Sequence, residues 1–144
     1  MALLVNEGKL ALINGIFRRS EFVPKLHLYK TLGGGFTGDN SGVVLANLTE
    51  ADFPGYAFVA LDTFLATAPT INGANEGEVD SPLVTWTRSS TGSPQTVLGL
   101  HITLLIAGAT KLVFMHHFAT SITLDTAGQV VEKYVNIFDD NLIP

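Results

Sequence analysis

The sequence predicts an all-β fold, a β-sandwich or barrel behind a short N-terminal helix or arm. Three observations predict it. About eight short apolar or alternating segments are separated by Gly, Pro, Asn and Thr at intervals of roughly ten residues, the punctuation of an antiparallel sandwich. Helical periodicity occurs in one long segment only, residues 7–19. The chain of 144 residues is 47% apolar, enough for one core, and it holds no cysteine, so disulfides and thiolate metal sites are excluded. The expected division is an arm and helix over 1–20 and a single sandwich domain over 21–144.

The elements follow from local pattern. Between Glu7 and Arg19, Leu10, Ile13 and Phe17 share a helical face with Leu12 and Ile16 beside them. Asn6 suits the N-cap, and Arg18 and Arg19 suit the negative end. After Pro24, Lys25 to Leu32 alternates as a strand. Gly33 to Gly42 reads as a loop. Thr49 to Asp52 has a capping-box-like spacing, so Leu48 to Phe53 is expected to form one helical turn ended by Pro54. Tyr56 to Thr63 alternates again. Residues 66–82 read as turns around at most one short edge strand. Leu83 to Arg88 sets Val84, Trp86 and Arg88 opposite Leu83, Thr85 and Thr87. Two apolar runs, Thr96 to Ile106 and Lys111 to Ala119, flank Ala107 to Thr110 and read as a hairpin. Val130 to Phe138 closes the chain as a last strand.

Charge narrows the function. Only 15% of residues are charged and the net charge is −5, which argues against a nucleic-acid-gripping surface built from clustered Lys and Arg. The first thirty residues carry Lys9, Arg18, Arg19, Lys25 and Lys30 against Glu7 and Glu21, a balance of +3, and the rest carries −8. A basic front on an acidic body suggests two surfaces with different neighbours. Met1 to Glu7 lacks the basic start and cleavage site of a secretory signal. Val97 to Ala109 is too short for a membrane-spanning helix, which needs about 20 apolar residues. Neither a membrane nor nucleic acid is expected as a partner.

Several motifs invite chemistry and then fail a structural condition. Gly33-Gly-Gly-Phe-Thr-Gly38 matches G-x-G-x-x-G, but no helix opens behind it to meet a pyrophosphate. His116 and His117 are adjacent on a strand and so point to opposite faces, from which two imidazoles do not easily share one metal. His27 and His101 could meet only through the fold. Glu76, Glu78 and Asp80 alternate in a glycine-containing loop without the calcium-loop pattern. No serine has the strand–turn–helix context of a nucleophile elbow. The expectation is a non-enzymatic chain with no catalytic residue, metal or cofactor.

The stretch Leu48-Thr-Glu-Ala-Asp-Phe-Pro-Gly-Tyr-Ala57 resembles a segment of a family of small tailed-bacteriophage virion proteins. That family reads tyrosine-threonine-glutamate-alanine, two variable residues, then glycine-tyrosine-alanine. Met1-Ala-Leu-Leu-Val5 with Glu7 is similar to the family's N-terminal arm, and Leu26-His-Leu-Tyr-Lys30 to its first strand. Trp86-Thr87, Val97-Leu-Gly-Leu100 and Lys111-Leu-Val-Phe-Met-His-His-Phe118 fall in the family's order. Leu98 and Leu100 stand where aromatics are common, and His116-His117 replace an acid and a base. The resemblance implies a β-sandwich of jelly-roll type on the outer surface of the phage head. It implies a capsid decoration or cement protein, with the major capsid protein as partner and a homo-oligomeric state.

In that role the arm supplies the contact. Leu3, Leu4 and Val5 precede a helix presenting Leu10, Leu12, Ile13, Ile16 and Phe17, an exposed apolar patch of the kind that marks an interface. Arg18 and Arg19 then pair with capsid carboxylates and fix register. The alternative is a tail-associated receptor- or glycan-binding jelly-roll module, which requires an exposed aromatic platform, for which Trp86, Tyr29, Tyr56 and Tyr134 are available beyond the phenylalanines.

Overall fold

The computed structural model describes residues 23–40, 42–61, 70–71, 73 and 77–138. Among them the fold is all-β, with antiparallel sheets and no helix of seven or more residues, consistent with a sandwich. The helix expected over 7–19 lies outside the described residues. No helix among the described residues is long and apolar enough to cross a membrane. The chain divides into two compact units, one of Pro24–Ala60 with Thr85–Glu132 and one of Met1–Val23, Leu61–Val84 and Lys133–Pro144.

The first of these units is built on one sheet. Its strands are β1 (Lys25–Leu32), β2 (Leu48–Glu50), β3 (Val59–Ala60), β7 (Gln95–Ile106) and β8 (Ala109–Leu124), in the order β2-β1-β7-β8 with β3 also on β1. β1 falls where alternation placed it. Its burial, however, runs through both faces: Leu26 and Leu28 are buried, and so are His27 and Tyr29. An alternating strand in a one-sided sheet would leave the second pair wet. Here a polar set on neighbouring strands covers it.

β7 and β8 form the expected hairpin with a tighter turn than the four-residue linker suggested. Ala107 (φ 51°) and Gly108 (φ 78°) make a two-residue connection, and positive φ at both positions is the type I′ geometry that matches strand twist. β7 is buried from Leu100 to Leu104, since β1 and β8 flank it. Among the described residues β8 is the outermost strand on this side of the sheet, and its register slips at Val113 and again over 118–121.

The expected helical turn over Leu48 to Phe53 is corrected. Leu48, Thr49 and Glu50 pair with Leu32, Thr31 and Tyr29 as β2, and a single 3-10 turn precedes them at Leu45–Asn47. The amides of Asp52 and Phe53 donate to Gln95 Oε1 at 2.9 and 3.1 Å. A side chain 43 residues away thus takes the donors that a local cap would have served. Pro54 and Gly55 (φ 87°) then turn the chain, closed by Tyr56 N–H on the Phe53 carbonyl at 2.9 Å. That is the Pro-Gly arrangement of a type II turn.

β6 (Val84–Thr87) pairs with β9 (Val130–Lys133). Val84, Trp86 and Arg88 are the buried face, as alternation required. The Arg88 guanidinium, 1% exposed, donates to the carbonyls of Ser90, Ser93 and Leu124 at 2.8, 3.1 and 3.0 Å. A buried charge needs such a full set of acceptors, and they tie the 89–94 loop to the end of β8. In the other unit β4 (Thr70–Ile71), β5 (Gly77–Asp80) and β10 (Asn136–Phe138) form a three-stranded sheet. Residues 66–82 therefore supply two short strands where one was expected. The single expected last strand is two, β9 and β10, broken at Tyr134 and Val135.

Candidate functional site

The unit of β1, β2, β7 and β8 gathers the chain's four histidines on or beside one polar stripe. Antiparallel pairing sets His27 opposite His101, and the rings stack at 4.7 Å with planes 10° apart. His27 lies between two partners. Its Nδ1 donates to Glu50 Oε1 at 2.8 Å, and its Nε2 shares a hydrogen bond with Thr103 Oγ1 at 3.0 Å. Glu50 Oε1 also accepts from the Tyr56 hydroxyl at 2.8 Å, and that hydroxyl accepts from Leu28 N–H at 3.0 Å. β1, β2, β7 and the loop after Gly55 all contribute to this chain of bonds, β1 through both His27 and the Leu28 N–H.

Burial and bonding set the protonation states. Burial opposes ionisation of Glu50, but hydrogen bonds from His27 and Tyr56 outweigh it and hold the carboxyl below its ordinary range. Burial first, and then the carboxylate of Glu50, push the Tyr56 phenol upward. Burial, with the neighbouring His27 ring second, pushes His101 down to about 4. His101 Nδ1 is the buried side-chain atom without a hydrogen-bond partner among the described residues. A neutral imidazole tolerates an empty acceptor far better than an imidazolium tolerates an empty donor.

Hydroxyl, imidazole and carboxylate in series form the relay that activates a nucleophile. Thr103 is 2% exposed, however, and a substrate carbonyl has no approach to its oxygen. The series works as a strut that holds β1, β2 and β7 in register.

A second polar junction joins the glycine loop to the adjacent histidines. His117 N–H donates to Asp39 Oδ1 at 2.6 Å, and His116 Nδ1 lies 3.4 Å from Asp39 Oδ2. On its ring side His117 Nδ1 shares a 2.8 Å hydrogen bond with the Tyr29 hydroxyl. Burial, with the charge of Asp39 second, pushes that phenol up to about 12. Gly99 makes this approach possible. A Cβ there would lie 2.3 Å from the His116 carbonyl and 2.5 Å from the Tyr29 hydroxyl. His116 faces solvent while His117 turns to Tyr29, as expected of neighbours on a strand.

Part of the exposed apolar surface lies at the hairpin end, and more is spread over Val23, Phe58, Leu83, Val130 and Tyr134. Leu105 and Ile106 before the turn are exposed, as is Val44. Between Val43–Ala46 and Thr110–Leu112 runs an open groove of about 320 Å³. Lys111 is the single charged residue of β8.

Of the residues the sequence singled out as an interface, Leu3, Leu4, Val5, Leu10, Leu12, Ile13, Ile16, Phe17, Arg18 and Arg19 all lie outside the described residues. The G-x-G-x-x-G match is a loop with positive φ at Gly34 and Gly35. Glu78 and Asp80 sit on β5 as strand residues. No group of three potential ligands that could hold a metal occurs among the described residues. Glu50, Thr103, Asp39 and Gly99 were missed, because each acquires its role from a partner far away in sequence. No family model, curated protein or solved structure matches the chain.

Proposed function

We propose that the chain is a non-enzymatic structural protein of a phage virion. It is a jelly-roll decoration or cement protein on the outer surface of the head, binding the major capsid protein as a homo-oligomer and reinforcing contacts between capsid subunits. The observation that carries the reading is the exposed apolar end of the β7–β8 hairpin, where Leu105 pairs with Thr110, a residue lining the groove that exposed Val44 also lines. It sits on a chain with few charges to cover itself. The resemblance of Leu48–Ala57 and the later strands to phage virion proteins supports it independently.

Cementing needs interface area where subunits meet. Buried apolar surface contributes roughly 25 cal/mol per Å², so a contact of a few side chains is weak alone. Repetition around a symmetry axis multiplies it through avidity. The arm, Leu3 to Arg19, adds apolar and cationic contacts of its own.

The tail-associated alternative would draw on exposed aromatic residues, and among the described residues Phe58 and Tyr134 are exposed. Trp86 is buried with its indole N–H on the Ala57 carbonyl at 2.9 Å, Tyr29 is buried, and Tyr56 is committed to Glu50. Of Trp86, Tyr29, Tyr56 and Tyr134, the last alone is largely exposed.

Two variants test the reading on purified heads. Deletion of residues 1–19, and Leu105→Asp with Ile106→Asp, are each expected to lower head binding at least tenfold with the fold retained. Unimpaired binding by both folded variants contradicts it.

A further inference from the structure

We infer that the β7–β8 turn is a preformed insertion finger, fitted to an apolar socket with carboxylates at its rim on a protein other than this chain. The inference rests on the proposed function, whose contact it locates, and names the chemistry of the facing surface.

Leu105 to Thr110 are consecutive exposed residues without a charge. Among the described residues, Leu105 and Ile106 are the one place where two large apolar neighbours in sequence are both exposed. Such a run is unfavourable on a solvated surface unless it serves a contact. The tip also stands clear of its own chain: a Cβ added at Gly108 would meet nothing within 4 Å.

The backbone points the same way. Ala107, at φ 51°, is the one residue other than glycine with positive φ among the described residues. The first position of a type I′ turn ordinarily takes Asn, Asp or Gly, because an alanine Cβ crowds the carbonyl in the left-handed region. Asn or Asp would ease that strain and would also put a polar side chain on the tip. The chain accepts the less stable turn and keeps the tip apolar. Pairing of Leu105 with Thr110 and of Ile106 with Ala109 shapes the finger before any partner arrives, so little order is lost on binding.

Charge selects the occupant. Between Gln95 and Leu124 the single Asp, Glu, Lys or Arg is Lys111. It is exposed at the base of the finger, and no carboxylate pairs with it among the described residues. An apolar tip with one cation at its base is complementary to an apolar depression edged by carboxylates. A second copy does not offer that surface. The groove between Val43–Ala46 and Thr110–Leu112 holds no carboxylate and contributes a Lys111 of its own, so a finger seated there would bring two lysines together. A lipid surface is matched by several cations with an interfacial Trp or Tyr. The finger, Leu105 to Lys111, has one cation and neither aromatic.

Variants of the full chain, read on purified heads, test the finger. Ala107→Asp and Ala107→Gly both suit a type I′ turn, so each is expected to keep or raise Tm. Ala107→Asp is expected to lower head affinity about tenfold or more, whereas Ala107→Gly stays within about twofold of wild type. Lys111→Glu is expected to lower it about tenfold at low salt, and less as salt is raised. Vesicles of phosphatidylcholine with phosphatidylglycerol are expected not to bind the wild-type chain. Equal head binding by wild type, Ala107→Asp and Lys111→Glu overturns the finger and leaves the proposed function standing on other contacts. Vesicle binding that Ala107→Asp abolishes assigns the finger to lipid and overturns the socket. A wild-type chain that does not bind heads overturns the proposed function, and the inference with it.

Discussion

His101 is the residue at which packing, charge and stability meet most directly. It is buried against His27, with Nδ1 unpartnered, and titrates in the folded chain near 4. In the unfolded chain it binds a proton below about 6.5. Between those values the unfolded state holds more protons, so stability is complete above about 6.5 and is lost as pH falls towards 4. The difference corresponds to about 3 kcal/mol. Glu50, held below its ordinary range, works in the same direction at lower pH: its contribution disappears as pH falls through its folded value. Denaturant midpoints followed by the single tryptophan, the buried Trp86, are expected to drop steadily from pH 7 to 4. His101→Phe, which keeps an aromatic ring in the stack, is expected to flatten most of that slope. An equal slope in the variant would assign the acid sensitivity to another group.

At the scale of elements, the glycine loop and β8 depend on one carboxylate. Asp39 holds both the His117 amide and the His116 ring, and replacing it leaves a donor on the sheet edge unsatisfied, a loss on the order of 1 kcal/mol. In Asp39→Ala the amides of 36–40 and of His117 are expected to exchange with solvent faster, while those of the β1–β7 ladder keep their protection. Uniform change across both regions would show that the loop is held by something else.

This scale also shows what pattern alone could read. β1 over Lys25–Leu32 and the β7–β8 hairpin were legible because period-2 alternation and long apolar runs are local signals. Leu48 to Phe53 was misread because its local cue, a capping-box spacing, was overruled by pairing with β1 and by Gln95. The same reason hid the polar stripe. His27, Glu50 and Thr103 are ordinary residues in sequence, and only strand order makes them neighbours. The opposite facing of His116 and His117 was readable, since it follows from strand geometry; their shared partner Asp39 was not.

For the molecule as a whole, composition and structure point the same way. A chain 15% charged with net charge −5 must leave apolar surface uncovered, and the described residues place part of it at one hairpin end. The internal polar stripe is closed on itself, with hydroxyl, imidazole and carboxylate bonded to one another. Among the described residues, apolar side chains and a few charges are directed outward. On the proposed function these serve a part that works in many copies on a larger surface.

Copy number and position in purified virions, measured by electron cryomicroscopy with quantitative mass spectrometry, test that account most directly. It predicts hundreds of copies in a symmetric array on the outer surface of the head. A handful of copies at the tail, or none in the particle, would contradict it.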